Sequence, residues 1–265
     1  DLVRSRGLGD VYKRQIYHGA PALSSLAALK TGADLVYTCV PKINVQSTRA
    51  VSPNLIVIPL VDSKLTRGAV NKLLGQIPND LDSATIGMGL SIQDPEALKL
   101  LVKSLLDRDV RLSLDATALV NYILPLLSGK NVVITPHAGE FKKMFGKAPP
   151  DSKKARITMV EKFAKDHSIT ILLKGPTDII SNGTKTYINP TNTPGMTVGG
   201  TGDILSGIIA GMLARNRNAL ESAVISAYFN GLAGKSTQKK LGSHMTATDL
   251  LDALPGVMKS FDKIK

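Results

Sequence analysis

Apolar and polar positions follow two rhythms along the chain, and the switches between them mark its elements. Short, nearly continuous apolar runs at 35–40, 55–60, 84–87, 110–114, 132–135 and 169–173 predict strands buried on both faces. Between several of them, apolar residues recur at helical spacing: 21–30, 65–77, 94–107 and 152–167. Asp94 followed by Pro95 reads as a helix start, and Gly32 as the C-cap of the first helix. Asn182-Gly183, between apolar runs at 178–181 and 185–188, predicts a hairpin. Three helices close the chain, at 203–215, 221–234 and 248–258.

Strands that alternate with helices and are apolar throughout predict an α/β fold with a central, mostly parallel sheet flanked by helices on both faces. No Pro- or Ser-rich linker interrupts residues 16–265, which read as one domain. Residues 1–15 differ: four basic and two acidic residues follow neither rhythm, and the stretch resembles a translated adaptor more than a domain start.

Chemistry gathers where the strands end. Gly87-Met88-Gly89, Asp115, Thr135-Pro136-His137 and Lys174-Gly175 each follow a predicted strand, and open α/β sheets bind ligands at the carboxyl ends of their strands. Each signal alone is ordinary turn chemistry; four together predict one shared cleft. The strongest local feature is Gly199-Gly200-Thr201-Gly202-Asp203 at the start of a predicted helix. Three glycines in four positions let several N–H groups converge on one anion, and the helix dipole adds to the same pocket. Asp203 fits a helix N-terminus by charge alone, but at the mouth of a phosphate nest a carboxylate also suits a general base for an attacking hydroxyl. The loop lacks Walker A spacing. The helix behind it holds two interior glycines, Gly207 and Gly211, costing about 1 kcal/mol each against alanine unless close packing offsets it.

Composition narrows the classes. No apolar stretch reaches the length of a membrane span, the start lacks a signal-peptide core, and a single cysteine, Cys39, fits a reducing cytoplasm. The net charge of +12 attracts polyanions, but the basic residues are scattered and the chain has no Trp, so a nucleotide fits better than RNA or DNA. His18, His167 and His244 lack metal-ligand spacing, and no protein metal site is expected.

The motifs in order resemble a known family. Gly19-Ala20-Pro21, Ile86-Gly87-Met88-Gly89-Leu90, Leu114-Asp115-Ala116-Thr117-Ala118-Leu119, Thr135-Pro136-His137-Ala138-Gly139-Glu140-Phe141, Leu173-Lys174-Gly175, residues 192–196, the glycine loop and residues 244–250 are together similar to the ADP/ATP-dependent NAD(P)H-hydrate dehydratases of the ribokinase-like superfamily. The resemblance implies an enzyme that phosphorylates the hydroxyl of hydrated NADH or NADPH (S form) and then eliminates phosphate. It implies ADP or ATP as co-substrate, with magnesium. It places Asp203 as base and hydrate contact, with Ala20, Gly89 and His137 lining the hydrate pocket. Lys174, Gly175, Pro176, Thr177 and Asp178 would form a loop against the nucleotide, and Gly199, Gly200, Thr201 and Gly202 would hold its phosphates. Glu140 is expected to orient its loop. A homo-oligomer and a functional pairing with an NAD(P)H-hydrate epimerase also follow from the resemblance. Three positions depart from the pattern: Met88 stands for proline and Ser91 for glycine, which predicts a looser loop, and Thr117 stands for aspartate. The family also opens with a strand ending in a Gly-Gly-Ser turn, where this chain has residues 1–15. The other reading is a small-molecule kinase of the same superfamily, of the hydroxyethylthiazole or hydroxymethylpyrimidine type, which would share the glycine loop and its Asp.

Overall fold

The computed structural model describes residues 19–61, 64–215 and 218–262. The atypical stretch 1–15 and His18 lie outside the described residues. The chain begins with α1 (Gly19–Lys30), β1 (Tyr37–Pro41), α2 (Val45–Val51), β2 (Ile56–Leu60) and α3 (Arg67–Leu74). It continues through β3 (Ser83–Ile86), α4 (Pro95–Asp107), β4 (Arg111–Leu114), α5 (Leu124–Leu127), β5 (Val132–Ile134), α6 (Ala138–Phe145), α7 (Lys153–His167), β6 (Thr170–Leu173), β7 (Asp178–Ser181) and β8 (Thr186–Asn189). Three helices follow: α8 (Thr201–Ala214), α9 (Ala219–Leu241) and α10 (Ala247–Lys259).

Six strands form one sheet in sequential order, β3-β4-β5-β6-β7-β8. β3 to β6 are parallel, and β7 runs antiparallel to both its neighbours, β6 and β8. The sheet is covered on both faces, as continuous apolar strands require. Ile134, Ile171 and Leu173 pack into a core with Leu98, Leu101, Phe141 and Val160 of α4, α6 and α7. Their neighbours Val133, Leu172 and Ile180 point the other way, against Leu205, Ile209, Ala223 and Ala227 of α8 and α9.

The expected single sheet is divided. β1 and β2 pair in parallel as a separate two-stranded sheet, and a cavity of about 660 Å³ lies between β1 and β3. Tyr37 and Thr38 of β1 and Ser83 and Thr85 of β3 line it from opposite sides, with Ala28 of α1 and Leu105 of α4 among its other walls. Leu35, expected in the first strand, is instead exposed ahead of it.

The interior glycines of α8 have the expected use. A Cβ on Gly207 would land on the Ser24 carbonyl, and one on Gly211 on the Thr31 hydroxyl, so α1 rests directly on the α8 backbone. Gly207→Ala therefore forces the helices apart, and a loss of roughly 1–3 kcal/mol is expected in denaturant unfolding. In α9, Gly231 and Gly234 meet Thr191 and Met196 in the same way, and the helix runs on to Leu241 rather than ending near 234. The hairpin at Asn182-Gly183 forms, with Ser181 paired to Thr186 and four residues in its loop. Asn182 Oδ1 accepts from the N–H groups of Thr184 (3.0 Å) and Lys185 (2.9 Å), widening the expected two-residue turn.

Candidate active site

The glycine loop follows a 3-10 turn at Pro194–Thr197. The Thr201 hydroxyl lies 2.9 Å from the Met196 carbonyl oxygen and 3.2 Å from that of Val198, closing the loop on itself. Gly200 stands at the N-cap of α8 with φ +97°, and a Cβ there would crowd Leu23 and Ala247 at 2.8 Å. With no side chain at the N-cap, the N–H groups of Thr201, Gly202 and Asp203 lack both an intrahelical acceptor and a capping group. That is the physical form of an anion site.

Asp203 sits in this first turn. Burial, and then the charge of Asp115, push its carboxyl up to about 6, against the pull of Lys174. Lys174 follows β6 directly: its N–H donates to the Pro136 carbonyl (2.9 Å) and its ammonium donates to Asp115 Oδ1 (2.7 Å). Glu140 Oε2 lies 3.8 Å from the same nitrogen. A Cβ built on Gly202 would stand 3.7 Å from Lys174 Nζ, so the ammonium lies over the first turn of α8. Burial works against this charge, but Asp115, Glu140 and Asp203 outweigh it and hold the lysine above its ordinary range.

Asp115 follows β4 and is buried. Besides Lys174, its Oδ1 accepts from the N–H of Ala116 (2.8 Å), and its Oδ2 accepts from the Ser206 hydroxyl of α8 (2.8 Å). Sequence reasoning placed Asp115 and Lys174 at strand ends but missed their pairing, and it missed Ser206 altogether. A hydroxyl on an otherwise apolar and small helix was the signal available for Ser206.

His137 is the N-cap of α6. Its Nδ1 accepts from the N–H groups of Gly139 (3.0 Å) and Glu140 (3.3 Å), and Glu140 Oε2 accepts from the N–H of His137 (2.9 Å). The reciprocal capping box gives Glu140 its orienting role. Because Nδ1 accepts, the ring proton belongs on Nε2, which lies 3.4 Å from Glu140 Oε1 on an exposed side chain.

The loop after β3 is tied down, contrary to the looseness expected from Met88 and Ser91. The Thr117 hydroxyl lies within hydrogen-bond distance of the carbonyl oxygens of Gly87 (2.7 Å) and Leu90 (2.9 Å), and the N–H of Leu65 donates to the buried Ser91 carbonyl (2.7 Å). Thr117 thus serves by hydrogen bonding where the family has a charge. Gly89 is exposed at the tip with φ +67°. Ala20 is buried in the first turn of α1.

In the 174–178 loop the side chains divide. The Asp178 carboxylate turns inward, accepting from the N–H of Gly175 (3.1 Å) and from Asn189 (3.0 Å), so it shapes the turn from behind. Burial raises its pKa, with the Asn189 hydrogen bond opposing. Gly175, Pro176 and Thr177 remain as the surface of the loop. Next to it, Asn192 donates to the Gly175 carbonyl (2.8 Å), while Asn192 Oδ1 and Thr193 Oγ1 are buried without a hydrogen-bond partner among the described residues.

Carboxylate, ammonium and uncapped helix start together suit transfer of a phosphoryl group to a hydroxyl. Residues 14–256 match the NAD(P)H-hydrate dehydratase family. The chain belongs to that family. A Nitrosopumilus maritimus (strain SCM1) protein named ADP-dependent (S)-NAD(P)H-hydrate dehydratase is 69% identical over 94% of this chain and 87% of its own length. A bifunctional NAD(P)H-hydrate repair enzyme of Pyrobaculum aerophilum is 39% identical over 92% of the chain, which spans 49% of that longer protein. Among solved structures, the Bacillus subtilis ADP/ATP-dependent NAD(P)H-hydrate dehydratase co-crystallised with ATP/Mg2+ and soaked with CoA superposes with a TM-score of 0.77 at 25% identity, covering 92% of this chain and 88% of that one. Membership of the dehydratase family decides against the thiazole or pyrimidine kinase reading. This dehydratase-family chain has the α/β, ribokinase-like architecture expected from its sequence.

Proposed function

We propose that this chain dehydrates the S form of hydrated NADH and NADPH back to NAD(P)H, with ADP or ATP as phosphoryl donor. The observation that carries the mechanism is Asp203, a carboxylate raised to about 6 in the uncapped first turn of α8 beside the Lys174 ammonium. Asp203 takes the proton of the hydrate's hydroxyl as that oxygen attacks the terminal phosphorus of the nucleotide. The shorter nucleotide departs with the electron pair of the broken P–O bond. Phosphate then leaves with the electron pair of the ester's C–O bond while the neighbouring ring carbon gives up its proton to the departing phosphate or to solvent, restoring the double bond. The N–H groups of the Gly199–Gly202 loop and Lys174 face the charge on the transferring group. Gly175, Pro176 and Thr177 border the nucleotide, with Asp178 holding their turn, and Ala20, Gly89 and His137 border the hydrate.

The chain's own donors do not make a resident magnesium site: Asp115 and Glu140 both face the Lys174 ammonium. Among the described residues no three His, Cys, Asp or Glu side chains gather as a cation site. Magnesium enters with the co-substrate, on the nucleotide phosphates.

No helix among the described residues is long and apolar enough to cross a membrane. Work in the reducing cytoplasm accords with the single cysteine, Cys39, whose thiol burial pushes up to about 12. Pairing with an NAD(P)H-hydrate epimerase accords with the bifunctional relatives, and a homo-oligomer is the expected assembly.

The test is recovery of NADH absorbance from its purified S-hydrate with ADP and with ATP, and phosphate release measured alongside. Absorbance and phosphate rising one for one are expected. A stable phosphorylated product without absorbance recovery defeats the dehydratase reading.

A further inference from the structure

The buried carboxylate of Asp115 has more partners than a turn after a strand needs. Its two oxygens receive hydrogen bonds from three segments: Ala116 next to it, Lys174 after β6, and Ser206 within α8. A stability role alone does not account for this arrangement. Burying an ion pair costs desolvation that its attraction barely repays, and apolar residues of the same volume would hold the sheet at least as well. The pair also stands at the carboxyl ends of the strands, against the helix start where an anion is to bind.

We infer that Asp115 is a positioning residue of the reaction, fixing the Lys174 ammonium over the first turn of α8 beside Asp203, with Ser206 fixing Asp115 in its turn. The inference rests on the reading of Asp203 as base. One hydrogen of the ammonium goes to Asp115, and Glu140 at 3.8 Å is beyond hydrogen-bond reach, so the ammonium can also donate to a transferring phosphoryl group without leaving its anchor. Asp115 acts on Asp203 as well. The charged groups bearing on that carboxyl are Asp115 from the end of β4 and Lys174 from the end of β6, with Glu140 of α6 reaching it through Lys174. The negative charge of Asp115 keeps the base proton-accepting, and the ammonium keeps it ionised above about pH 6. One residue thereby couples the strength of the base to the placement of the cation.

The experiment measures kcat and KM against pH for the full chain, Asp115→Asn and Ser206→Ala, with the S-hydrate and ADP or ATP. Asn retains the shape and the hydrogen-bond acceptor but removes the charge. Asp115→Asn is expected to lower kcat about tenfold to a hundredfold, with a smaller change in nucleotide KM. Its acid limb should move to lower pH, because the repelling charge is gone and Lys174 is free to turn to Asp203. Ser206→Ala should move both quantities the same way by less, and it keeps the inference testable if Asp115→Asn does not fold. A loss of kcat matched by loss of folded protein, with the acid limb unmoved, overturns the positioning role. An acid limb that survives in Asp203→Asn overturns the base reading instead. One that vanishes there but stays in place in both Asp115→Asn and Ser206→Ala overturns this inference alone.

Discussion

Asp203→Asn should lower kcat for hydrate repair by about 10²- to 10⁴-fold, the contribution typical of a positioned proton acceptor. Asn fills the same space in the first turn of α8 and leaves the N–H groups of the glycine loop untouched, so nucleotide affinity should change only a few-fold. The pH dependence follows from the raised carboxyl. The base works ionised, so the parent's activity should climb as pH rises through about 6 and then level off, and this limb should be absent from the variant. Stability moves the opposite way. In the parent, the folded state holds the Asp203 proton more tightly than the unfolded chain does, so stability falls as pH rises from about 4 to about 6. Asn behaves like the protonated acid at every pH. The variant should therefore melt at or above the parent's temperature at pH 8, with the advantage fading toward pH 4. A variant that melts lower at pH 8 would make its lost activity a folding effect and remove the support for a base.

The two halves of this site differed in how far the sequence exposed them. Glycines and polar groups after strands point to a cleft because the chain must turn there, and the local signals at Gly199–Asp203 and Thr135–Glu140 fall where the structure has helix starts. Asp94-Pro95 marks the start of α4, since its cap and first turn are written in adjacent residues. What joins the cleft is not local. Lys174 meets Asp115 across 59 positions and Ser206 meets it across 91, and no periodicity carries such pairings. α6 escaped notice because His137 is not among the common N-caps, although Glu140 supplied half of its capping box. α2 escaped because Val45–Val51 is short and holds two valines and a threonine, poor helix formers that tertiary packing overrides. The division between β1–β2 and the main sheet was equally hidden, since each apolar run reads the same whether or not a neighbour lies beside it.

Gly87→Ala should damage fold and activity together, by a route that Asp203→Asn does not share. Gly87 follows β3 with φ +129°, a region that side-chain-bearing residues rarely enter. A Cβ there would land on the Asp115 carbonyl oxygen, with the Ala118 Cβ at 3.1 Å leaving little room to retreat. Backbone strain and overpacking each cost about 1–3 kcal/mol, and neither can be relieved without the other, so a loss on the order of 3 kcal/mol or more in denaturant unfolding is expected. The backbone that must yield carries the carboxylate holding Lys174, because Asp115 donates its own N–H to the Ile86 carbonyl (3.0 Å) immediately before Gly87. Protein that still folds should therefore lose turnover with Lys174 displaced, and its acid limb should shift, because Asp115 and Lys174 both bear on the Asp203 carboxyl. If folded Gly87→Ala keeps the parent's kcat and pH profile, the close approach of these two turns is packing alone and has no part in placing the ammonium. The comparison with Gly207→Ala sharpens the point. That substitution also forces backbone apart, but between α1 and α8 rather than beneath Asp115. Equal stability losses with unequal shifts in the acid limb would show that the limb reports the position of Asp115 and not stability as such.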